Sequence, residues 1–322
     1  MTHKLFSKLL LALSLFIVAN AGLAQGDYPT KPIEWVVAYP AGSPADTTSR
    51  LLAQYAEQYL PNNGRFVIVN KPGAAGVIGM TDVYNSQPDG YTIGTTAMAA
   101  VALKPAFGET VFEPDGFQPV IKYVDAQQLI FVRWDSEFET AQDLFDYARE
   151  HPGAVTIGTS GALNAVHIAI ETFNAELGLE LEPIPYNGEP EAINALLRGD
   201  TVAAGINGAN SYLYFEAEQL RPLFNYTAVE APFTDVPTLK ELGYDIEVPF
   251  FNGVMAPKGI PQERLDVLVE AFERALADPD LIREFDDRGL VISQLGPDEF
   301  QQQINIVYET NVRVMKAVGI IE

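Results

Sequence analysis

The chain has 322 residues, no cysteine and a formal net charge of −23, and 48% of its residues are apolar. The charge argues against a nucleic-acid partner, which requires a basic surface, and the lack of cysteine excludes disulfides and thiol chemistry. The length suits two domains of about 100–200 residues each, and the apolar fraction is ample for packed cores.

The first 24 residues have the pattern of a secretory signal peptide. Lys4 and Lys8 precede an apolar run over residues 9–18, which is too short to span a bilayer and is followed by small residues. We predict cleavage after Ala24, with Ala21 as the alternative site and an uncleaved N-terminal anchor as the less favoured interpretation. The mature chain is therefore expected to be secreted.

Strand-like and helix-like patterns alternate after this segment. A buried apolar run predicts a strand over residues 33–39. Ser43 then suits a helix N-cap, and Asp46 stands where a capping-box acid would be. Further strands are predicted over residues 65–70 and 91–95, on either side of a helix that begins after a glycine-rich turn. The order strand, helix, strand predicts parallel βαβ units.

The middle of the chain repeats this alternation. Thr140 with Asp143 three residues later predicts another capped helix. Strands are predicted over residues 155–158, 181–185 and 202–206, with helices between them. This second set of βαβ units predicts a second sheet of the same α/β class.

Two lobes are the natural division of such a chain. We predict that the chain crosses between them near residues 123–132 and again near residues 250–256. The first lobe would then comprise residues 25–124 and 253–322, and the second lobe residues 125–252.

Four loops rich in small residues follow predicted strands and precede helices. Open α/β sheets bind ligands at such positions, and a helix N-terminus there offers unpaired N–H groups and a partial positive charge that suit a carboxylate. Ordinary turns use the same residue types, so one such loop alone would indicate little. The loops are residues 39–43, 73–76, 95–97 and 159–162.

Catalytic motifs are absent from the sequence or incomplete. Gly158-Thr159-Ser160-Gly161-Ala162 narrowly misses the G-x-S-x-G nucleophile elbow, and only His151 and His167 follow the predicted signal peptide. No His or Cys pair has the spacing of metal ligands, and Gly73-x-x-Gly76-x-x-Gly79 is not the dinucleotide fingerprint. We therefore expect a protein that is not an enzyme and has no metal and no cofactor.

A series of short motifs follows in one register along the predicted mature chain. Its first part contains Tyr28-Pro29-x-Lys31-Pro32-Ile33, Tyr39-Pro40-Ala41-Gly42-x-x-x-Asp46-x-x-x-Arg50, Val69-Asn70-Lys71-Pro72-Gly73-Ala74-Ala75-Gly76-x-x-Gly79 and Pro88-Asp89-Gly90-Tyr91-Thr92. Its second part contains Gly158-x-Ser160-Gly161-x-x-x-x-x-His167, Pro185-Tyr186-x-Gly188, Asp235-Val236-Pro237-Thr238-Leu239-x-Glu241-x-Gly243-Tyr244 and Ala256-Pro257-Lys258-Gly259-x-Pro261. In this order the motifs resemble the Bug family, the substrate-binding receptors of tripartite tricarboxylate transporters.

The resemblance implies a two-lobed periplasmic-binding-protein fold, a Venus flytrap similar to type II, with a ligand cleft between the lobes and no catalysis. It implies a monomeric periplasmic receptor that closes on a small organic acid and delivers it to membrane permease subunits. We favour a di- or tricarboxylate, because carboxylates at both ends would bridge the lobes. The alternatives are an aromatic carboxylate, if Tyr39 and Phe251 both face the cleft, and docking on a sensor kinase.

Carried over by position, the resemblance places ligand contacts in both lobes, made largely by main-chain N–H groups and water. In the first lobe they would be Tyr39, Ala41, Gly42, Ser43, Ala74, Ala75 and Thr96, with Asp46 organising the loop. In the second lobe they would be Ser160, Asn164, His167, Tyr186 and Asn207, with Phe251 beside the second crossing.

Several of these residues also have ordinary structural interpretations. Asp46 could simply cap its helix. His167 could share a helix face with Asn164, three residues earlier, or be a core histidine bonded to backbone. Tyr39 and Phe251 could be core aromatics.

The proposed loops differ from the family pattern at two positions. Tyr39 and Ser43 stand where the family often has phenylalanine and glycine, and the added hydroxyls favour a more polar ligand. No arginine falls in the loops, since Arg50 lies well along its helix and Arg133 past the first crossing. We therefore predict capture of the anion by backbone amides, hydroxyls and water.

Overall fold

Two β-sheets with flanking helices form the described part of the chain. In this computed structural model it comprises residues 28–322 apart from residues 228, 230–232, 234 and 289. The predicted signal peptide over residues 1–24 lies outside the described residues. Within the described residues, no helix combines the length and apolar character needed to cross a membrane.

The strands and helices are numbered in chain order. The strands are β1 (Ile33–Val37), β2 (Phe66–Asn70), β3 (Thr92–Ala97), β4 (Phe117–Asp125), β5 (Gln128–Arg133), β6 (Thr156–Thr159), β7 (Glu182–Pro185), β8 (Ala203–Asn207), β9 (Leu220–Asn225), β10 (Phe251–Pro257) and β11 (Val291–Leu295). The α-helices are α1 (Pro44–Ala56), α2 (Val77–Asn85), α3 (Ala141–Glu150), α4 (Ala165–Leu177), α5 (Glu189–Arg198), α6 (Gly208–Glu216), α7 (Gln262–Leu276), α8 (Pro279–Asp286) and α9 (Pro297–Ala317).

The first sheet has six strands in the order β11-β4-β10-β3-β1-β2. Strands β1, β2 and β3 pair in parallel, as predicted for βαβ units. Strand β10, from late in the chain, inserts between β3 and β4 and is antiparallel to both. The C-terminal ends of β1, β2 and β3 therefore meet at one edge of the sheet, where the loops at residues 39–43 and 73–76 emerge.

The apolar run of β1 is explained by burial on both faces of the first sheet. Trp35 points towards α1 and α7, where its ring lies 5.2 Å from the rings of both Phe66 and Phe272. The neighbouring Val36 points to the opposite face, into a cluster that includes Met80 of α2. This two-sided packing fixes the strand whose end carries the first loop.

The second sheet has five strands in the order β7-β6-β8-β5-β9, with β6, β7 and β8 parallel and β5 antiparallel to β8. Its core is aromatic: the ring of Phe224 lies 5.2 Å from that of Phe145 and 5.7 Å from that of Phe173. The parallel strands β6 and β8 end at the same edge, just before α4 and α6. The second set of loops is therefore also gathered at one edge.

The chain passes from the first sheet to the second between Asp125 and Gln128 and returns at Phe251. The two passages are joined by a hydrogen bond of 2.8 Å from the Ala126 amide to the Phe250 carbonyl. Helix α9 packs on β4 of the first sheet and on α4 beside the second. The segments predicted as crossings are thus continuous with long strands. The predicted lobe boundaries, at residues 124/125 and 252/253, remain a prediction.

Candidate functional site

The loop between β1 and α1 is organised from within by Asp46, whose residue surface is only 3% exposed. Its carboxylate accepts hydrogen bonds from the Gly42 amide at 2.9 Å and the Asn70 side chain at 2.8 Å, and pairs with Arg50 at 2.9 Å. Burial alone would raise the pKa of Asp46, but the hydrogen bonds from Arg50, Gly42 and Asn70 outweigh it and lower the pKa. Asp46 is therefore an ionised support of the loop.

Ser43 caps α1 as predicted, because its hydroxyl accepts a hydrogen bond from the Asp46 amide at 3.3 Å. The expected capping box is altered, since the Asp46 carboxylate reaches the amide of Gly42 rather than that of Ser43. Gly42 has φ +80°, a conformation that favours glycine. The loop is thus folded around the first turn of α1.

A buried hydroxyl network fixes α1 against the first sheet. The Trp35 indole donates to the Thr95 hydroxyl at 2.7 Å, and the Ser49 hydroxyl lies 2.7 Å from the same oxygen. The Tyr123 hydroxyl lies 3.4 Å from Ser49. These contacts hold α1 in a fixed position against β3.

The second loop runs through four consecutive residues with positive φ, +135° at Gly73, +48° at Ala74, +54° at Ala75 and +98° at Gly76. An alanine costs about 1–2 kcal/mol in this region, and such strain persists where surrounding structure imposes it, often at ligand loops. A Cβ on Gly76 would lie 2.9 Å from the Tyr39 hydroxyl oxygen, so only glycine fits beneath that ring.

Tyr39 connects the first two loops. Its hydroxyl lies 3.5 Å from the Ala75 carbonyl and can donate to it. Burial raises the pKa of the Tyr39 phenol, so the hydroxyl stays protonated near neutral pH. The loop after Ala75 leads into α2, whose first N–H groups lack acceptors within the helix.

Beside the second sheet, helices α4 and α6 each begin after an asparagine N-cap. Asn164 accepts a hydrogen bond from the His167 amide at 2.9 Å and donates to the Ser160 hydroxyl at 2.8 Å. Asn207 accepts one from the Ala209 amide at 3.0 Å. The N-termini of α4 and α6 therefore lie beside each other, after β6 and β8.

A cavity of about 540 Å³ lies between these loops, a volume typical of small-molecule sites. Both sheets contribute to it, so it is a cleft between the two halves of the fold. The predicted site residues that line it are Tyr39, Gly42, Ala75, Ser160, Asn164, Asn207 and Phe251.

The remaining predicted site residues do not line this cavity. Ala41, Ser43 and Ala74 lie in the same loops as residues that do. Asp46 is buried behind the first loop, and Thr96 is buried in β3 with its hydroxyl 3.2 Å from the Ala97 carbonyl. Tyr186 follows β7, where its amide donates to the Thr159 carbonyl at 2.9 Å.

His167 faces away from the cleft, towards a separate surface cavity that also includes Glu171. Its Nε2 lies 3.8 Å from the Glu171 carboxylate, and its buried Nδ1 has no hydrogen-bond partner among the described residues. Burial lowers the pKa of His167. The His167 side chain is therefore not in the cleft with Ser160, Asn164 and Asn207, although the His167 backbone amide donates to the Asn164 side chain.

The cleft contains polar residues that the sequence interpretation missed. Gln128 and Glu189 lie on its wall, as does Arg288, which follows α8 and pairs with Glu284 at 3.1 Å. The expectation that no arginine falls in the loops is correct for the loops themselves, but Arg288 reaches the cleft from the C-terminal part of the chain. Only Glu189 had a sequence signal, its position directly after the Pro185-Tyr186-x-Gly188 motif.

The described residues contain no group of three or more His, Cys, Asp or Glu side chains that could hold a metal ion. The cleft offers helix N-termini, hydroxyls, amides, aromatic rings and the side chains of Glu189 and Arg288. Such an arrangement can bind a small anion reversibly, through backbone N–H groups at the helix starts.

Comparison with known proteins identifies the family of this chain. Residues 49–320 match the family described as "Tripartite tricarboxylate transporter family receptor" (TctC). A Cupriavidus necator relative, "UPF0065 protein in gbd 5'region", is 34% identical over 270 residues, which are 83% of this chain and 81% of the relative.

Solved structures give the same result. A TctC solute binding protein from Polaromonas superposes with a TM-score of 0.81 at 28% identity, over 90% of this chain and 99% of the other. A Rhodopseudomonas palustris protein solved with adipate gives a TM-score of 0.76 at 26% identity, over 91% of this chain and 99% of that one.

These similarities confirm the predicted two-lobed α/β fold of periplasmic binding proteins. The family and its solved members are solute-binding proteins, so this protein is a binding protein and not an enzyme. The chain belongs to the TctC family of tripartite tricarboxylate transporter receptors.

Proposed function

We propose that the protein captures a small organic carboxylate in the cleft by lobe closure and delivers it to the membrane permease of a tripartite tricarboxylate-type transporter. The proposed location is the periplasm, after removal of residues 1–24. TctC-family receptors are periplasmic, which supports this location. The proposed contacts are the predicted site residues that line the cleft.

One observation carries the proposal: helix starts from both halves of the fold line a single cavity, with Pro44 and Thr47 of α1 from the first and Ala165 and Val166 of α4 from the second. The loops before α1 and α2 line the cavity from the side of the first sheet. The loop before α4, with Ser160 and Asn164, lines it from the side of the second sheet. A helix N-terminus stabilises an anion by about 0.3–1 kcal/mol at the surface and up to about 2 kcal/mol when partly buried. An anion in this cleft would gain from several of them at once.

We favour a ligand with a carboxylate at each end. Such a ligand would contact the loops of both sheets and stabilise the closed state more than the open one, which is what drives closure. The related R. palustris protein was solved with adipate, a dicarboxylate. This likeness supports the ligand class proposed here.

An aromatic carboxylate is the second candidate, and one observation favours it. Tyr39 and Phe251 both line the cleft. The Phe251 ring is held edge-on against Phe300 at 5.3 Å, so it presents a fixed apolar wall. A flat ligand ring would pack on such a wall.

A thermal-shift screen tests the proposal. At a free concentration 100 times its dissociation constant, a ligand stabilises the fold by about 2.7 kcal/mol. We expect succinate, adipate or citrate to raise the melting temperature. If only benzoate or nicotinate does so, the aromatic candidate replaces the dicarboxylate. If no acid of either kind does so, the proposed function is wrong.

A further inference from the structure

The N-terminus of α6 is already occupied by a carboxylate of the protein itself. Glu189, in the first turn of α5, accepts a hydrogen bond from the Asn207 amide at 3.0 Å through one oxygen. Its other oxygen accepts one from the Asn210 side chain at 2.7 Å. A ligand carboxylate therefore cannot use the α6 N-terminus as it can use those of α1 and α4, whose first residues line the cleft.

Glu189 retains the capacity to accept further hydrogen bonds on the cleft side. A carboxylate has about four lone-pair sites, and the described residues that bind Glu189 use two of them. Glu189 also lines the cleft. A donor group of the ligand would be bound there, whereas a ligand carboxylate, which has only acceptors, would find no partner.

Gln128 supplies a second acceptor, independently of Glu189 because it comes from β5. It lines the same cleft and its residue surface is 7% exposed. Its Oε1 is buried and has no hydrogen-bond partner among the described residues. Buried polar atoms are almost always hydrogen-bonded in native proteins, so this oxygen calls for a donor.

We propose that the ligand is a carboxylate that also carries a hydrogen-bond donor, a hydroxyl or ammonium substituent, which binds to Glu189 and Gln128. The inference rests on the proposed function, since it specifies the same cleft and the same class of acid. The loops before α1, α2 and α4 hold the carboxylates, and Glu189 and Gln128 determine specificity for the substituent.

Calorimetric titration with acids of equal skeleton tests this. The four-carbon series is succinate, malate with its hydroxyl and aspartate with its ammonium group; adipate and 2-aminoadipate form a longer pair. We expect the substituted acid of a series to bind about tenfold more tightly than its parent, as one well-placed hydrogen bond in a buried site allows. Preference for malate identifies a hydroxyl, and preference for aspartate or 2-aminoadipate an ammonium group.

The two proposals fail differently. If succinate or adipate binds as tightly as its substituted forms, the proposed function stands and the inference about the donor is overturned. If none of these acids binds but benzoate or nicotinate does, the inference is overturned and the aromatic candidate replaces the dicarboxylate. If no carboxylate binds, the proposed function is wrong as well. These outcomes need only the unmodified protein, so they do not depend on whether a variant folds.

Single-residue variants distinguish a role of Glu189 in ligand specificity from a purely structural role at the N-terminus of α6. Glu189→Gln and Gln128→Met should reduce the preference for the substituted acid over its parent about tenfold, because the parent acid has no donor group for either side chain. Glu191→Gln, an exposed acid in the same turn, makes the same charge change and should leave the preference intact. If Glu189→Gln weakens substituted and parent acids equally, Glu189 only supports α6 and the inference is overturned.

Discussion

Asp46 shows how one side chain can set the geometry of a binding loop without contacting the cavity. Its carboxylate joins the Gly42 amide, Asn70 and Arg50. Removing it takes the acceptor from the Gly42 amide, which lies in the loop that faces the cleft, and takes one partner each from Asn70 and Arg50. Loss of a buried partner of this kind costs about 1–3 kcal/mol.

We therefore expect Asp46→Ala to lower the free energy of unfolding by about 1–3 kcal/mol and to weaken ligand binding, as measured by urea unfolding and calorimetry. Asp143→Ala is the matched control, because Asp143 closes a capping box at α3, away from the cleft. It should cost about 1 kcal/mol and leave affinity unchanged. Equal effects of the two variants on affinity would contradict the role given to Asp46.

His167 gives the fold a dependence on pH. Burial lowers its pKa in the folded state, so the unfolded chain binds the proton more readily, and stability falls as the pH drops below about 6.5. We expect His167→Gln to reduce the loss of unfolding free energy between pH 7.5 and pH 5.5, measured with urea. His151→Gln, at an exposed histidine, controls for the loss of an imidazole. An unchanged pH dependence in His167→Gln would refute this.

Cleft residues could be predicted from the sequence where they lie in loops that have a recognisable motif. They could not be predicted where only the tertiary fold brings them to the cleft. Gln128 is the first residue of a strand that has no motif. An acidic residue in the first turn of a helix, such as Glu189, is usually explained by its favourable interaction with the helix dipole. The expectation that Asn164 and His167 could share a helix face fails for a local reason. Asn164 is the N-cap, with extended backbone at φ −92° and ψ −179°, so helical spacing does not apply to it.

At the scale of an element, the turn over residues 73–76 combines backbone strain with contact to the cleft. We expect Gly76→Ala to destabilise the fold by more than about 1 kcal/mol and to weaken binding, because the new Cβ displaces the Tyr39 ring. Gly178→Ala is the control, since Gly178 also has positive φ but no atom within 4 Å of a Cβ.

That control should cost about 1 kcal/mol of unfolding free energy and leave ligand affinity unchanged. Both variants are measured by urea unfolding and by titration with the acid identified in the thermal-shift screen. If Gly76→Ala binds as tightly as the unmodified protein, the position of Tyr39 does not matter for binding.

Most elements of the two sheets follow from local sequence pattern, with differences at their ends. Strand β1 stops at Val37 instead of residue 39, because the chain there turns into the first loop. Helix α6 and strand β9 were not predicted, since residues 208–216 lack a clear apolar period. The segments of β4, β5 and β10 were predicted only as crossings between the lobes, not as strands. The place of β10 between β3 and β4 depends on pairing with residues more than a hundred positions away, which local pattern does not show.

At the scale of the whole molecule, the net charge of −23 opposes the approach of an anion. The repulsion is screened by salt, with a range of about 8 Å at physiological ionic strength. We expect the association rate of a dicarboxylate, measured by stopped-flow fluorescence, to rise with ionic strength while the dissociation rate changes little. An association rate that falls with added salt would show that local positive potential at the cleft governs capture.

The most direct test of the central claim is native mass spectrometry of the protein incubated with succinate, malate, aspartate, adipate and benzoate. We predict that at least one acid binds as a single molecule per chain and is recovered with its mass unchanged. The fraction of protein carrying this acid should be lower for Asp46→Ala than for Asp143→Ala. Absence of any one-to-one adduct, or recovery of a chemically altered acid at catalytic rates, would contradict a receptor that binds a carboxylate in this cleft.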